Sequence, residues 1–136
     1  NRANYYAAEG RLAEAIADYE TALDLDPGNV RAWINQGITF RELEMYEQSV
    51  ENFDFALRFL LATADQSPLI GHIYAERGRT AHLRGDWNCA IADYHRALEK
   101  LPQLDANHSD MSLRLRLQVV QWFSELLDPT EYLPAL

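Results

Sequence analysis

The chain has 136 residues, 48% of them hydrophobic and 11% aromatic, which is enough to bury a continuous core and argues against disorder. Its formal charge of -9, from 21 acidic and 12 basic side chains, repels a phosphate backbone or an anionic bilayer unless the cations gather in one stripe, so nucleic acid and anionic membrane are disfavoured partners. Cys89 is the only cysteine, which excludes an internal disulfide and favours a reducing compartment such as the cytoplasm, while no apolar run reaches the roughly 18–20 residues that cross a bilayer, so no direct membrane insertion is expected.

The sequence repeats itself. The run Ala-Ile-Ala-Asp-Tyr-Glu-Thr-Ala-Leu at 15–23 recurs as Ala-Ile-Ala-Asp-Tyr-His-Arg-Ala-Leu at 90–98, with a looser copy at 49–57. The first two copies start 34 residues apart and the second and third 41 apart, which places an insertion near residues 61–70. In chain order, a first helix over about 2–9 and a second over 12–25 are expected to be joined by a turn at Gly10. Asp26-Pro27-Gly28-Asn29 closes that pair with residues that cannot extend a helix. A third helix over about 29–42 carries Trp33 and Gly37, and a fourth over about 46–63 comes after it. A fifth over about 68–84 carries Tyr74 and Gly78, Gly85 turns the chain, and a sixth spans about 87–101. Mid-helix glycine costs about 1 kcal/mol relative to alanine, so Gly37 and Gly78 imply close packing of a partner helix. Small-aromatic-small spacing puts Ala15, Tyr19 and Ala22 on one face, and the Tyr19, Phe53, Tyr94 series, Trp33 and Tyr74 are expected in the core. Trp87 is expected to pack between pairs. A last helix over about 109–127 starts near Ser109 or Asp110, Asp128-Pro129 ends it, and residues 129–136 form a short tail.

A 34-residue helix-turn-helix unit with an aromatic and a glycine in its first helix, spaced small residues about an aromatic in its second and a closing proline resembles the tetratricopeptide repeat. The middle copy meets that pattern with Trp33, Gly37, Phe40, Tyr46, Phe53 and Ala56, and the third with Tyr74, Gly78, Gly85, Ala90, Tyr94, Ala97 and Pro102. Ser49 stands where an alanine is usual and Leu61 where the proline is usual, so the helix ending the middle copy is free to run on through Leu60, Leu61 and Ala62. The resemblance implies an all-α, right-handed α-solenoid of about three helix pairs, at about 1–28, 29–63 and 71–102, with a capping helix at about 109–127, the whole domain covering 1–128. It also implies a concave groove that binds a peptide segment or a partner protein, with no catalysis.

Carried onto this sequence, the groove-lining positions of the family are Asn4, Arg31, Asn35, Ile38, Arg41, His72, Glu76 and Arg79, with Ala8, Glu42 and His82 beside them. In the subfamily that grips the acidic carboxy-terminus of heat-shock chaperones, two asparagines and three cations form a clamp. Asn4 and Asn35 fall on the asparagine positions, but the cation positions visible here hold His72 and Glu76, so this clamp is not the expected mode.

The last helix is unusually apolar. Arg114, Gln118, Gln121 and Glu125 form a narrow polar stripe, and apolar side chains cover an arc of about 240°. Packing on the third repeat uses about half of that, so Leu115, Val119, Trp122, Phe123 and Leu126 are a second candidate interface, for a homodimer, the chain's own continuation or a partner. A regulatory domain of a longer protein is a third reading, since an opening at Asn1 without methionine fits a processed form or an excised fragment.

No catalytic or cofactor pattern is present. His72, His82, His95 and His108 lack metal-ligand spacing, so neither metal nor cofactor is expected. Cys89 precedes the alanine of a packing face and is expected to fill space there. Phosphate loops, nucleophile elbows and dinucleotide fingerprints do not occur.

Overall fold

A computed structural model describes residues 2–63, 69–101 and 110–127, and among them every regular element is an α-helix. The chain divides into two compact units, Asn1–Asp65 and Gln66–Leu136.

The first unit holds α1 (Arg2–Leu25), α2 (Val30–Glu42) and α3 (Tyr46–Ala62). The expected break at Gly10 does not occur, and α1 is one helix of 24 residues. Gly10 is followed by Arg11-Leu12-Ala13-Glu14-Ala15, a run of strong helix formers with no capping side chain, so the backbone keeps its helical hydrogen bonds at the modest cost of one interior glycine. The turn after α1 forms as its residues dictate. Gly28 N–H donates to Asp26 Oδ1 at 3.2 Å, Asn29 caps α2 by accepting from Ala32 N–H at 3.1 Å, and Trp33 Nε1–H reaches back to the Pro27 carbonyl at 3.0 Å. As expected, α3 continues through Leu60 and Leu61 to Ala62.

Two turns of the same geometry join the helices within the α2–α3 pair and the pair that opens the second unit. After α2, Glu44 N–H donates to the Arg41 carbonyl at 2.9 Å and Met45 N–H to the Phe40 carbonyl at 2.8 Å, with Glu44 at φ 62°. After α4 (Leu69–Leu83) of the second unit, Gly85 N–H donates to the His82 carbonyl at 3.1 Å and Asp86 N–H to the Ala81 carbonyl at 2.8 Å, with Gly85 at φ 84°. Both are Schellman caps, one built on the usual glycine and one on a glutamate held in the left-handed region.

Small residues fix the approach within each pair. A β-carbon on Gly37 would meet Phe53 Cε1 at 2.7 Å, and one on Gly78 would meet Tyr94 Cδ1 at 2.8 Å. Phe53 and Tyr94 are fully buried, so the glycines admit these rings, as the sequence implied. Tyr19, Trp33 and Tyr74 are only half-buried, which corrects the expectation that the whole aromatic series is core.

In the second unit α4 pairs with α5 (Trp87–Lys100), and α6 (Asp110–Leu127) packs on both. Its core is Ala75, Ala81, Ala90, Tyr94, Ala97, Leu101, Val119 and Leu126. Arg116 donates from Nη1 to the Leu98 and Leu101 carbonyls at 2.9 and 3.3 Å, supplying hydrogen-bond donors at the carboxy-terminal end of α5. Trp87 is 43% exposed, with its ring edge on His82 at 5.7 Å, rather than packed between pairs. Cys89 is exposed too, because Ala90, about 100° further round the helix, takes the buried position. A hydrogen bond to Asp86 and burial push its thiol above the ordinary value, away from a reactive thiolate. Residues 102–109, including His108 and Pro102, and the 129–136 tail lie outside the described residues. No helix among the described residues is long and apolar enough to cross a membrane.

Candidate binding surfaces

On α2, positions 31, 35, 38 and 42 fall on one stripe of the helix. Arg31, Asn35 and Glu42 are exposed there, with Ile38 half-buried among them and Arg41 half-buried at the flank. Ala32, Ile34, Gln36, Gly37 and Thr39 are buried. The sequence therefore gives α2 a packed side and a polar side that is open. Asn4 stands on α1, and its side chain lies outside the described residues, as does that of Ala8.

The corresponding residues of α4 are committed within the second unit. Glu76 is buried, with Oε1 at 3.6 Å from His72 Nε2 one turn back. Arg79 places its guanidinium 5.1 Å from the centre of the Trp122 ring and 3.5 Å from Glu125 Oε2, so α6 covers it. His82 is buried, with Nδ1 at 3.0 Å from the Tyr94 hydroxyl. Burial and the neighbouring Arg79 hold its imidazole below the ordinary 6.5, opposed by Glu125, so it favours the neutral form. These contacts give Glu76, Arg79 and His82 partners within the second unit, whereas Arg31 and Asn35 of α2 are exposed. The polar stripe of α6 meets Arg79 through Glu125, a long-range pairing that helix periodicity does not reveal.

The second candidate interface is also relocated. Val119 and Leu126 are in the core of the second unit, and Leu115, Trp122 and Phe123 pack against it, with Phe123 and Trp122 rings 5.9 and 6.3 Å from that of Tyr94. Among the described residues, the large apolar side chains that α6 leaves outside are Leu117, Val120 and Leu127, at 59, 49 and 58% exposure. Among its described side chains α6 is thus amphipathic in use, with three large apolar residues outside its packing face.

A further feature was not anticipated. Between α1, α2 and α3 lies a cleft of about 390 Å3 lined by Glu20, Leu23, Asp24, Trp33, Gln36, Phe40, Gln48, Glu51 and Asn52. Its α2 residues, Trp33, Gln36 and Phe40, are on the opposite side of the helix from Arg31 and Asn35. Gln36 and Asn52 are 4% and 8% exposed, and Asn52 Nδ2 donates to Gln36 Oε1 at 2.8 Å. In the second unit the positions in the same register hold a charged pair. Arg77 Nε and Nη2 donate to Asp93 Oδ2 and Oδ1, both at 2.8 Å, and Arg96 Nη1 adds a bond to Asp93 Oδ1 at 3.0 Å. That register was the signal available in the sequence: Gln36 precedes Gly37 as Arg77 precedes Gly78, and Asn52 precedes Phe53 as Asp93 precedes Tyr94.

The family described as TPR repeat matches residues 3–44. Among solved structures, the chain is similar to the N-terminal domain of stress-induced protein-1 (STI-1) from C. elegans, at 19% identity and a TM-score of 0.60, covering 88% of this chain and 95% of that one. It is also similar to BtubC (BKLC) from P. vanneervenii, at 19% identity and a TM-score of 0.66, covering 86% of this chain and 52% of that one, so it spans about half the length of BtubC. These likenesses agree in the all-α solenoid fold. Tetratricopeptide repeats serve in general as protein-interaction scaffolds. The glycine-admitted helix pairs and the Schellman turns between their helices agree with that fold, and residues 3–44 match the TPR repeat model.

Proposed function

We propose that the chain binds a peptide segment of a partner protein on the open side of α2, through Arg31, Asn35, Ile38 and Arg41, and carries out no reaction itself. The observation that supports this reading is the division of α2: one side is packed, and the other offers a cation, an amide and an aliphatic side chain in a single stripe. An amide donates and accepts at once, which suits a peptide backbone, and Ile38 adds an apolar contact. Asn4 extends the same contact in this reading. The α4 positions His72, Glu76 and Arg79 have partners within the second unit, and this reading does not use them. The test is site-specific photo-crosslinking from position 42, exposed on the same stripe, with position 58 on α3 as control. A partner captured from 42 and not from 58, and lost at least tenfold in Arg31→Glu with Asn35→Ala at unchanged helix content, supports the reading; equal capture from both positions overturns it.

Self-association through α6 has a narrower basis, the exposed Leu117, Val120 and Leu127. It predicts a mass in solution that falls to that of one chain when Leu117 and Val120 are replaced by serine.

A further inference from the structure

The Gln36–Asn52 pair has a property that does not depend on which way either amide is turned. When two side-chain amides share one hydrogen bond, one donates and the other accepts, so one amino group and one carbonyl are always left over. Here these are Gln36 Nε2 and Asn52 Oδ1, which have no hydrogen-bond partner among the described residues. No fully buried side-chain polar atom among the described residues is left unsatisfied, so both keep some accessible surface, and both residues line the cleft. Water can meet both at the open cleft, so a ligand that displaces it must itself bring an acceptor to the one and a donor to the other.

The remaining walls narrow what that is. Leu23, Trp33 and Phe40 are apolar, and Glu20, Asp24 and Glu51 bring three carboxylates to the lining with no cation among the lining residues. A cation alone satisfies the carboxylates and the spare carbonyl but opposes the spare amino group, which needs an acceptor. An anion meets the amino group and is repelled by the carboxylates. A trans peptide bond directs its N–H and C=O to opposite sides, whereas a primary carboxamide carries an acceptor and a donor on one edge, the complement of the pair in the cleft.

We propose that this cleft is a second binding site, which takes a glutamine or asparagine side chain from a basic segment of a protein partner. The carboxamide accepts from Gln36 and donates to Asn52 while its stem lies against Trp33 and Phe40. A lysine or arginine next to it in sequence meets Glu20, Asp24 and Glu51. The site is independent of the open side of α2, and either can fail without the other.

The test uses the whole chain, labelled with nitrogen-15, and the peptide acetyl-Gly-Lys-Gln-Lys-Gly as its N-methylamide, so that the terminus adds no second carboxamide. Trp33 is the only tryptophan of residues 1–65, so its indole N–H signal reports the cleft, while Trp87 and Trp122 report the second unit. The expected result is a saturable shift of the Trp33 indole and of the Gln36 and Asn52 side-chain amides. Affinity should fall about tenfold or more when leucine replaces the glutamine, because the polar pair then goes unmet. Glutamates in place of both lysines should abolish the shift. Gln36→Arg together with Asn52→Asp installs the second unit's own pair in the first, and should remove binding with the Trp87 and Trp122 signals unmoved. Should that variant not fold, Gln36→Leu serves the same purpose. Equal binding of the leucine peptide, a shift that does not saturate, or undiminished binding by the folded variant overturns the proposal.

Discussion

The two units use one packing scheme with two different pairs at its centre. In each, a glycine in the first helix of a pair admits a fully buried ring from the second, Phe53 against Gly37 and Tyr94 against Gly78. Beside each contact is a polar pair 16 residues apart, Asn52 to Gln36 in one unit and Arg77 to Asp93 in the other. The charged pair is closed: Asp93 accepts from two arginines, and both guanidiniums lie within 6 Å of the Tyr74 ring centre, at 5.5 and 5.9 Å. The neutral pair is open, with a donor and an acceptor at a cleft. The difference teaches that glycine and ring fix how the helices meet, while the adjoining pair is free to serve stability or recognition.

The sharpest way to break that comparison is to remove one member of each pair. Asp93→Ala strands a largely buried Arg77 and should cost about 3 kcal/mol in the second unit, whereas Asn52→Ala gives up one neutral bond and should cost about 1 kcal/mol in the first. Denaturant titrations read at Trp122 and Trp33 separate the two losses, and equal losses would dissolve the distinction.

Acid should also divide the units. The four histidines all come after residue 65, and His82 is held below its ordinary 6.5. A lowered histidine means that the unfolded chain binds more protons, so its contribution to stability is complete above pH 6.5 and is lost as pH falls from there through the folded value. Thermal unfolding at pH 7.5 and 5.5 should show a drop confined to the second unit, reduced in His82→Gln, which retains a partner for the Tyr94 hydroxyl. A pH-independent second unit would contradict the burial of that imidazole.

Smaller effects come from the turns. Gly85→Ala places a side chain at φ 84° and should destabilise by about 1 kcal/mol, while Gly10→Ala, with open space around the new methyl and helical backbone, should stabilise by about 0.5–1 kcal/mol. Opposite signs in paired melts confirm that α1 is continuous; a loss at both positions would restore a turn at Gly10. Glu44→Gly should gain a few tenths of a kcal/mol by relieving φ 62°.

Most of the fold was legible because helix pairs repeat their glycines, rings and small residues in register, and those residues are the packing. Five of the seven expected helices match α2 to α6 within a residue or two. The two that merged into α1 show the limit. Gly10, Glu44 and Gly85 share one register, but whether the chain turns there depends on the next few residues and on tertiary partners, so glycine alone misleads and glutamate conceals a turn. The α2 residues of the candidate surface came from the resemblance to the tetratricopeptide repeat, and the exposure of Arg31 and Asn35 is compatible with it. The fate of Arg79 and Glu76 was not, because it depends on α6 and on His72. The cleft was missed because apolar periodicity says nothing of a polar pair in core positions.

Gln36 and Asn52 are placed for a ligand rather than for the fold, and the most direct test of that claim is the unfolding free energy of the first unit. It is read at Trp33 in the variant Gln36→Leu with Asn52→Leu, which trades the pair for apolar groups of similar size. Replacing both partners of a buried neutral pair is close to neutral or stabilising when their role is not structural, so stability equal to or above that of the natural sequence is the expected result. A loss of about 2 kcal/mol or more would show that the pair holds the first unit together as Arg77 and Asp93 hold the second, and would contradict the claim.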